Sequence, residues 1–280
     1  MTENRLKEID ERILKLKQLK KISFRKNLLE DVSVLKDMQS AAVLSELVLY
    51  DNLIKRMPSL ENYRSLEKLD VSYNKIRSME PVEQVSTSVE HLYLAANKIS
   101  EVTGGLSKLV NLTLLELGSN RIRKMQHFEA LANLQELWLG RNKIGTIECL
   151  SNLKMLRRLS IQNNRLRVIE GLDSCVNLEE LYLSFNGITR INGLSKLTKL
   201  KILDFGNNQI EKIEGLETQE MLEDLWLNDN QVGTLGGLES VRGTLKCIYL
   251  ENNPVEKSQD FKTEIMQMLP HLEQLDATEI

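Results

Sequence analysis

The segment LTLLELGSNRI, from Leu112 to Ile122, decides the fold, because it returns in closely similar form as LQELWLGRNKI from Leu134 to Ile144. Both copies fit the pattern Leu-x-x-Leu-x-Leu-x-x-Asn-x-Ile, with a period of 22 residues. The asparagine alone recurs eleven times, at spacings of 22, 23 or 25 residues: Asn27, Asn52, Asn74, Asn97, Asn120, Asn142, Asn164, Asn186, Asn208, Asn230 and Asn253. A fixed period of this length is typical of a solenoid built from stacked repeats.

Each part of the repeat has a physical reason. Leu-x-Leu has the period of a short strand with one buried face. The asparagine follows the strand, where its amide can satisfy backbone groups of the turn and of the neighbouring coil, so we expect an asparagine ladder. The remaining apolar residues recur every three or four positions, which suits short helices or 3-10 turns. We therefore predict an α/β fold, a right-handed leucine-rich-repeat solenoid (horseshoe) with a parallel concave sheet, a helical or 3-10 convex side and about 11 full repeats plus caps.

The ends of the array depart from the repeat and predict its caps. We expect a helical N-terminal cap or partial repeat at residues 1–18, repeats at 19–255 and a C-terminal cap at 256–280. The extra length from Gln259 to Leu269 predicts a true closing helix. No proline-rich, glycine-rich or low-complexity tract interrupts the repeats, so we expect a single array and no second domain.

The residue between the two strand leucines points away from the core and lines the predicted concave face. We call these residues the outward row: Ser23, Val48, Asp70, Tyr93, Glu116, Trp138, Ser160, Tyr182, Asp204, Trp226 and Tyr249. The row is aromatic and acidic, and it holds both tryptophans of the chain. Aromatic residues on a sheet can stabilise it through cross-strand pairs, but tryptophan and tyrosine are also enriched as anchors of protein interfaces. We favour the binding interpretation.

Two neighbouring outward positions complete this surface. The position after the second strand leucine is often small, as at Ala95, Gly118 and Gly206, which favours close approach of a partner. The position two residues before the outward row adds further acids: Glu46, Glu136, Glu180 and Asp224. Over these three rows, eight acids outnumber four bases. The alternative is that these acids only keep the sheet solvated. We expect a protein partner whose surface is basic with apolar pockets.

Composition excludes several classes of function. The formal net charge of -3 gives no general attraction for nucleic acid or anionic membranes, and no signal peptide or membrane span is expected. The three cysteines are odd in number and widely separated, which favours a reducing compartment. The three histidines are isolated, and no metal or phosphate-loop motif is present. We therefore predict no cofactor, no metal and no enzymatic activity.

Several longer stretches carry a family resemblance: Leu49–Asn52, Leu115–Arg123, Trp226–Asn230, Tyr249–Pro254 and Leu275–Thr278. In this succession the chain resembles the leucine-rich-repeat regulatory subunit 7 family of protein phosphatase 1, from about Leu19 to Ile280. The resemblance implies a non-enzymatic subunit that holds the phosphatase catalytic subunit against its concave face, acts in the nucleus and cytoplasm, and controls the maturation, activity or targeting of the phosphatase. It leaves room for a third protein in the complex.

By position, the resemblance places partner contacts at seven residues of the three rows: Asp70, Tyr93, Glu116, Trp138, Asp224, Trp226 and Tyr249. The outward row itself adds Tyr182 and Asp204 as predicted partner-binding residues. Where this chain has Tyr93 and Trp138 the family commonly has phenylalanine, and Asp224 replaces a glutamate. The family's acidic N-terminal extension has no counterpart in this sequence.

Two other classes of function remain as alternatives. A leucine-rich-repeat scaffold of another intracellular assembly, such as a spliceosomal, ciliary or tubulin-chaperone complex, would use the same face for a different partner. Identification of the stoichiometric partner separates this alternative from the phosphatase subunit. An enzyme would require activity from the purified chain alone, and no sequence feature predicts it.

Overall fold

The computed structural model describes residues 3–279 and forms two compact units, residues 1–142 and residues 143–280. Met1, Thr2 and Ile280, at which the predicted caps begin and end, lie outside the described residues. Both units are built mainly from three-residue parallel strands joined by turns and short 3-10 segments, and the predicted solenoid fold is confirmed. The division into cap, repeats and cap stays a prediction.

The first unit contains six strands that pair in sequence order and in parallel. They are β1 (Lys21–Ser23), β2 (Glu46–Val48), β3 (Lys68–Asp70), β4 (His91–Tyr93), β5 (Leu114–Glu116) and β6 (Glu136–Trp138). The connections contain 3-10 segments at Ser33–Asp37, Ala41–Val43, Glu80–Gln84 and Gly104–Lys108. Helix α1 (Glu11–Leu14) precedes the first strand.

The second unit repeats this plan. Its strands are β7 (Arg158–Ser160), β8 (Glu180–Tyr182), β9 (Ile202–Asp204), β10 (Asp224–Trp226), β11 (Cys247–Tyr249), β12 (Gln274–Leu275) and β13 (Thr278–Glu279). Strands β7 to β12 are parallel, and β13 closes the edge by pairing antiparallel to β12, which the sequence did not predict. The 3-10 segments are Leu238–Val241 and Pro254–Lys257, and helix α2 (Phe261–Met268) lies within the predicted closing segment. None of the helices in residues 3–279 is both long and apolar enough for a membrane span.

The core of each unit is formed by the leucines that the repeat pattern assigns to it. The middle residue of most strands is fully buried and its two neighbours are half-buried, as the period of two requires. Leu115 and Leu117 in the first unit, and Leu225 and Leu227 in the second, have no exposed surface. Burial of such side chains contributes roughly 1.5–3 kcal/mol each, so stacking supplies a core that no repeat has alone.

The asparagine ladder is present in both units. In the first, the Asn120 amide donates to the carbonyl oxygens of Leu94 and Leu117, at 3.0 Å each, and its Oδ1 accepts the Ile99 N–H at 3.0 Å. In the second, Asn208 makes the same set of bonds, and it accepts the Ile188 N–H at 3.0 Å. Each amide therefore satisfies backbone groups of its own repeat and of the one before it, and an apolar residue at this position would leave those groups without a partner.

A backbone feature accompanies the ladder. The residue before each ladder asparagine has a positive φ near 55°. It is glycine in none of the eleven repeats and asparagine in three, and the other residues include Asp51, Tyr73, Ala96, Ser119, Arg141 and Phe185. The left-handed conformation turns the chain off the strand so that the asparagine points inwards. For residues other than glycine it costs about 1–2 kcal/mol. Packing between the stacked repeats must therefore offset this strain in every repeat.

The N-terminal cap differs from the expectation of a helical cap. Within residues 3–18 only Glu11–Leu14 is helical, with Asp10 as its N-cap, and Leu16 remains 48% exposed. Upstream of the helix the chain follows the repeat, because the backbone N–H groups of Asn4 and Leu6 donate to Asn27 Oδ1. The side chain of Asn27 can accept these two N–H groups only when the segment has the repeat conformation. These bonds therefore favour the repeat conformation over a longer helix.

Candidate functional site

In the first unit, four predicted site residues stand side by side at the third position of adjacent strands. The strand register pairs Asp70 with Tyr93, Tyr93 with Glu116 and Glu116 with Trp138. All four side chains are half-buried. Because neighbouring strands in a sheet are about 4.8 Å apart, an acid and an aromatic ring alternate within contact distance. The site alternates negative charge with apolar surface.

The two acids of this unit are held by the backbone that follows them. Asp70 accepts the Ser72 N–H at 2.9 Å, and Glu116 accepts the Gly118 N–H at 2.6 Å. Burial raises the pKa of both carboxyl groups, and that of Glu116 rises to about 7 despite the opposing hydrogen bond from Gly118. Glu116 therefore changes its charge near neutral pH, and a cationic partner group would favour its ionised form.

The aromatic residues of the first unit are positioned by charged neighbours. Lys68 Nζ lies 5.6 Å from the centre of the Tyr93 ring, and the Trp138 indole N–H donates to Glu136 at 3.2 Å. These contacts use the edges and one face of the rings. They fix the orientation of the two side chains while leaving them half-exposed.

In the second unit, three aromatic rings of the outward row gather into one cluster. The ring centres of Tyr182 and Trp226 are 6.3 Å apart, and those of Trp226 and Tyr249 are 6.1 Å apart with edge-to-face geometry. Tyr182 and Trp226 belong to strands that are separated by β9, so their rings converge above Asp204. We call Tyr182, Trp226 and Tyr249 the aromatic cluster.

The position of Asp204 beneath these rings changes its interpretation. It is only 6% exposed, and it accepts hydrogen bonds from the Ser184 hydroxyl at 2.6 Å and the Gly206 N–H at 3.0 Å. Burial raises its pKa, although these two bonds oppose the effect. Asp204 therefore supports the turn and the rings, and it presents little surface for the direct partner contact that the sequence predicts for it.

Two of the three polar ends of the aromatic cluster, the tyrosine hydroxyls, are bound within the second unit. The Tyr182 hydroxyl donates to Glu180 at 2.9 Å, and Gln274 donates to the Tyr249 hydroxyl at 2.7 Å. The Trp226 indole N–H is buried and makes no hydrogen bond of standard geometry within the described residues. The ring faces, not the polar groups, are thus what the cluster offers to a partner.

Asp224 lies at the first position of β10, next to the aromatic cluster. Burial raises the pKa of its carboxyl group, the nearby Glu223 raises it further, and Lys246 opposes both. The neighbouring Cys247 thiol also has a pKa raised to about 11, mainly by burial, so it is a weakly reactive thiol. This part of the site is suited to a cationic side chain from a partner.

Two of the small residues beside the outward row have an internal role that the sequence did not reveal. A Cβ atom at Gly118 would lie 2.6 Å from the Glu116 carboxylate oxygen, and one at Gly206 would lie 2.8 Å from Asn228 Oδ1. These glycines make room for side chains of their own sheet. Close approach of a partner is an additional consequence and stays a prediction.

Sequence reasoning missed a ladder of alternating charge in the second unit. The residues directly before its strands alternate in sign: Arg157, Glu179, Lys201, Glu223, Lys246 and Glu273. Glu179 bonds Arg157 at 2.6 Å and Lys201 at 3.2 Å, and Lys246 bonds Glu223 at 2.9 Å. The signal that could have found it is the alternation of charge at the repeat period.

Metal chemistry finds no support in the described side chains. Within residues 3–279, no group of three or more histidine, cysteine, aspartate or glutamate side chains could hold a metal ion. Cys175 is a buried free thiol, and Cys247 is a half-buried one.

Two family models of leucine-rich repeats match the chain. The model described as Leucine rich repeat matches residues 64–122 and 111–166, and the model described as Leucine Rich repeats (2 copies) matches residues 154–186 and 176–218. Between them they span residues 64–218, which is more than half of the chain. Neither describes a catalytic family.

The chain is similar in sequence to two named proteins. A protein of Arabidopsis thaliana named Protein phosphatase 1 regulatory inhibitor subunit PPP1R7 homolog is 42% identical over 159 residues, which are 56% of this chain and 48% of that protein. The human Leucine-rich repeats and immunoglobulin-like domains protein 3 is 29% identical over 140 residues, or 49% of this chain and 12% of that protein. The chain thus spans about half of the first relative's length and much less of the second's.

Solved structures agree on the fold. A leucine-rich-repeat protein of Leptospira interrogans has a TM-score of 0.75 and 26% identity, covering 95% of this chain and 74% of its own. An internalin of Listeria monocytogenes has a TM-score of 0.71 and 22% identity, covering 94% and 88%. The chain therefore belongs to the leucine-rich-repeat proteins, and among them it resembles the regulatory subunit 7 family of protein phosphatase 1.

Proposed function

We propose that this protein is a non-enzymatic regulatory subunit that binds the catalytic subunit of protein phosphatase 1 through the outward face of its strands. The observation that carries the proposal is the arrangement of acids and aromatic rings on that face. The seven positions that the family resemblance implies as contacts lie on it: Asp70, Tyr93, Glu116 and Trp138 in the first unit, and Asp224, Trp226 and Tyr249 in the second. The Arabidopsis relative, named as a regulatory inhibitor subunit of phosphatase 1, supports the choice of partner.

The geometry suits a basic protein surface with apolar pockets. Asp70, Glu116 and Asp224 all have a pKa raised by burial, so an ion pair with lysine or arginine would stabilise their charged form. The aromatic cluster presents the faces of its rings, and its two tyrosine hydroxyls are already bonded within the chain. Large aromatic side chains of this kind are typical anchors of protein interfaces. Binding would control the maturation, activity or targeting of the phosphatase.

The proposal is tested by the affinity of purified variants for the phosphatase 1 catalytic subunit, measured by isothermal titration calorimetry. Trp226→Ala removes the centre of the aromatic cluster, and Glu116→Ala removes one of the two half-buried acids that the outward row has in the first unit. Each should weaken binding by about 2–4 kcal/mol, because truncation of a central anchor has this cost. Met221→Ala is the matched control, since this side chain is 46% exposed and lies outside the outward row.

Absence of binding by the wild-type chain would refute the phosphatase partner. Unchanged affinity of both variants, with circular dichroism spectra like that of the wild type, would refute the site while leaving the partner in place. Phosphatase activity from the purified chain alone would refute the non-enzymatic role.

A second candidate is a scaffold of another intracellular assembly, such as a spliceosomal, ciliary or tubulin-chaperone complex, which uses the same face. Purification of the endogenous complex and identification of its stoichiometric partner distinguish the two. The proposal also places the protein in the nucleus and cytoplasm. Fluorescence imaging of the tagged chain tests that location, and confinement to a secretory compartment would contradict it.

A further inference from the structure

One flank of the first unit concentrates positive charge that the proposed phosphatase site does not use. It consists of the first, third and fourth residues after four consecutive ladder asparagines: Asn52, Asn74, Asn97 and Asn120. We call these twelve positions the basic flank. Eight of them are lysine or arginine and one is acidic: Lys55, Arg56, Lys75, Arg77, Lys98, Arg121, Arg123, Lys124 and the acid Glu101. Lysine and arginine fill only 37 of the 280 positions of the whole chain, so composition does not account for this density.

The backbone brings these bases to the surface side by side. In each of the four repeats the second residue after the asparagine is a fully buried isoleucine, whereas the first and third are half-buried or exposed. The Lys98 N–H donates to the Ile76 carbonyl oxygen, and the Arg121 N–H donates to that of Ile99, at 2.8 Å each. Backbones joined by such bonds are about 4.8 Å apart. Lys75, Lys98 and Arg121 therefore form a row of like charges in three successive repeats.

The chain leaves most of this charge without a counterion. Within residues 3–279, Lys55 is the only base of the flank that forms an ion pair. Glu101, the acid of the flank, accepts a bond from Gln126 at 3.2 Å and none from a base. Like charges directly opposite each other in neighbouring strands are destabilising, and the charge ladder of the second unit avoids this by alternating acids with bases. An anion from outside the chain would remove the repulsion in the basic flank.

The ion pair of Lys55 shows how a carboxylate binds to this flank. The Lys55 Nζ lies 2.7 Å from a carboxylate oxygen of Glu30, which belongs to the preceding repeat. The hydrogen bond and the charge of Lys55 lower the pKa of the Glu30 carboxyl group, and the charge of Lys75 lowers it further. One carboxylate thus interacts with bases of two successive repeats. In the next three repeats the position of Glu30 is filled by Lys55, Arg77 and Ser100, so no acid of the repeat takes this place.

We propose that the basic flank binds an acidic segment of a protein partner, with glutamate or aspartate side chains on Lys75, Lys98 and Arg121. The segment is extended and lies across three repeats. Its carboxylates make charge-assisted hydrogen bonds of the kind that Glu30 makes with Lys55. The flank follows the ladder asparagines whereas the outward row precedes them, so this interaction does not depend on the identity of the phosphatase partner.

The residues of the flank favour an acidic peptide over other anions. Proteins that bind single-stranded nucleic acid stack successive bases on aromatic rings, and none of the twelve positions is aromatic. One exposed ring, that of Tyr73, lies two residues before Lys75 and packs against Tyr50, with 4.9 Å between the ring centres. Stable attachment to a membrane combines basic residues with apolar ones that enter the lipid, and no flank position is an exposed apolar residue. The flank offers charge, which is what an acidic segment recognises.

Fluorescence anisotropy of two labelled peptides tests the proposal. One peptide alternates glutamate with serine, and the other has glutamine in place of every glutamate. The glutamate peptide should bind the full chain with an affinity that falls as the salt concentration rises, and the glutamine peptide should bind about tenfold more weakly or less, because it makes no ion pair. Lys98→Gln and Arg121→Gln should each weaken the glutamate peptide by about two- to fivefold, the factor expected for one ion pair near the surface.

Arg64→Gln is the matched control, because Arg64 is an exposed base of the same unit outside the flank. It should leave the affinity unchanged, and circular dichroism should show that all three variants fold like the wild type. Equal binding of the two peptides, or an equal loss with Arg64→Gln and Arg121→Gln, would overturn the proposal. Tighter binding of a single-stranded oligonucleotide of equal charge would also overturn it, as would retention of the chain on phosphatidylserine vesicles, because the flank would then serve another class of partner.

Discussion

A carboxylate at the outward position of a strand has a structural role in the turn that follows the strand, in addition to any contact with a partner. Asp70, Glu116 and Asp204 each accept the backbone N–H two residues further along. The bond satisfies a backbone donor where the chain leaves the strand, and it holds the acid at the surface of the sheet. The same residues that read as binding acids in the sequence are therefore also parts of the fold, and the balance between the two roles depends on burial.

At the scale of the residue, the raised pKa of Glu116 predicts that the stability of the protein depends on pH. Its pKa is about 7 in the folded chain against 4.5 as the ordinary value, so between these two values the folded state binds more protons than the unfolded state. The free energy of unfolding therefore falls as the pH rises through this window, by at most about 3 kcal/mol from this group. The glutamine variant, Glu116→Gln, keeps an acceptor for Gly118 but has no charge to bury. It should match the wild type near pH 5 and exceed its stability near pH 8.

Urea unfolding at both pH values measures the effect. Glu61→Gln serves as the control, because Glu61 is an exposed acid of the same unit. Since Asp70 titrates in wild type and variant alike, only the difference between the two pH profiles reports on Glu116. Parallel profiles of the wild type and Glu116→Gln would contradict the assignment.

At the scale of the repeat, the position seven residues after the ladder asparagine is a second left-handed position in six of the repeats. Gly171, Gly193, Gly215 and Gly237 have a φ of 70° to 99° there, and a Cβ at Gly193 would lie 2.6 Å from the Ile169 carbonyl oxygen. In two other repeats the same position is filled by His127 and Cys149, each with a φ of 64°. The turn is the same in all six repeats, but glycine forms it without strain.

This comparison predicts opposite effects for two substitutions. Gly193→Ala should lower the free energy of unfolding by more than about 1 kcal/mol, because the new methyl group meets a carbonyl oxygen and φ stays positive. The reverse exchange, His127→Gly, should raise it by roughly 0.5–1 kcal/mol, because relief of the left-handed strain exceeds the entropy cost of glycine. His127 is exposed, so little packing is lost. Guanidinium unfolding of the two variants checks the signs, and destabilisation by His127→Gly would show that its side chain matters more than its φ.

At the scale of the whole molecule, each repeat contacts only its neighbours. The stability of the array therefore depends on segments that cover the apolar edges at its ends. Helix α2 buries Phe261 and Ile265 against the last repeats, and the Asp276 carboxylate accepts the N–H groups of Leu250 at 2.6 Å and Glu251 at 2.9 Å. The C-terminal segment thus closes both the core and the backbone of the second unit. Without it, the apolar edge of β11 would face water.

Ile265→Ala tests this closing role. It should destabilise the second unit by about 2–5 kcal/mol, because Ile265 is fully buried. Hydrogen exchange should increase most around β11 and β12, and least around β7. Met266→Ala on the same helix is the control, since Met266 is 50% exposed. A uniform increase in hydrogen exchange along the second unit would contradict the expectation that the stability of each repeat depends on its neighbours.

The sequence by itself determined the repeat, the strands, the ladder and the direction of the outward row. These follow from short-range rules, because alternation along a strand and an asparagine after each strand need no knowledge of distant contacts. The prediction of the closing helix at Gln259–Leu269 also agrees with α2, whereas the N-terminal cap was expected to be more helical than it is.

Only the tertiary structure decided what each outward residue can do. It placed Asp204 beneath Tyr182 and Trp226, gave Glu116 a pKa of about 7, and set Tyr73 against Tyr50 with an open face. Burial, pKa and ring geometry depend on the side chains of the neighbouring repeats, some 20 or more residues away in the chain. Acids of one row look alike in a sequence, and they differ because the neighbours that cover them differ.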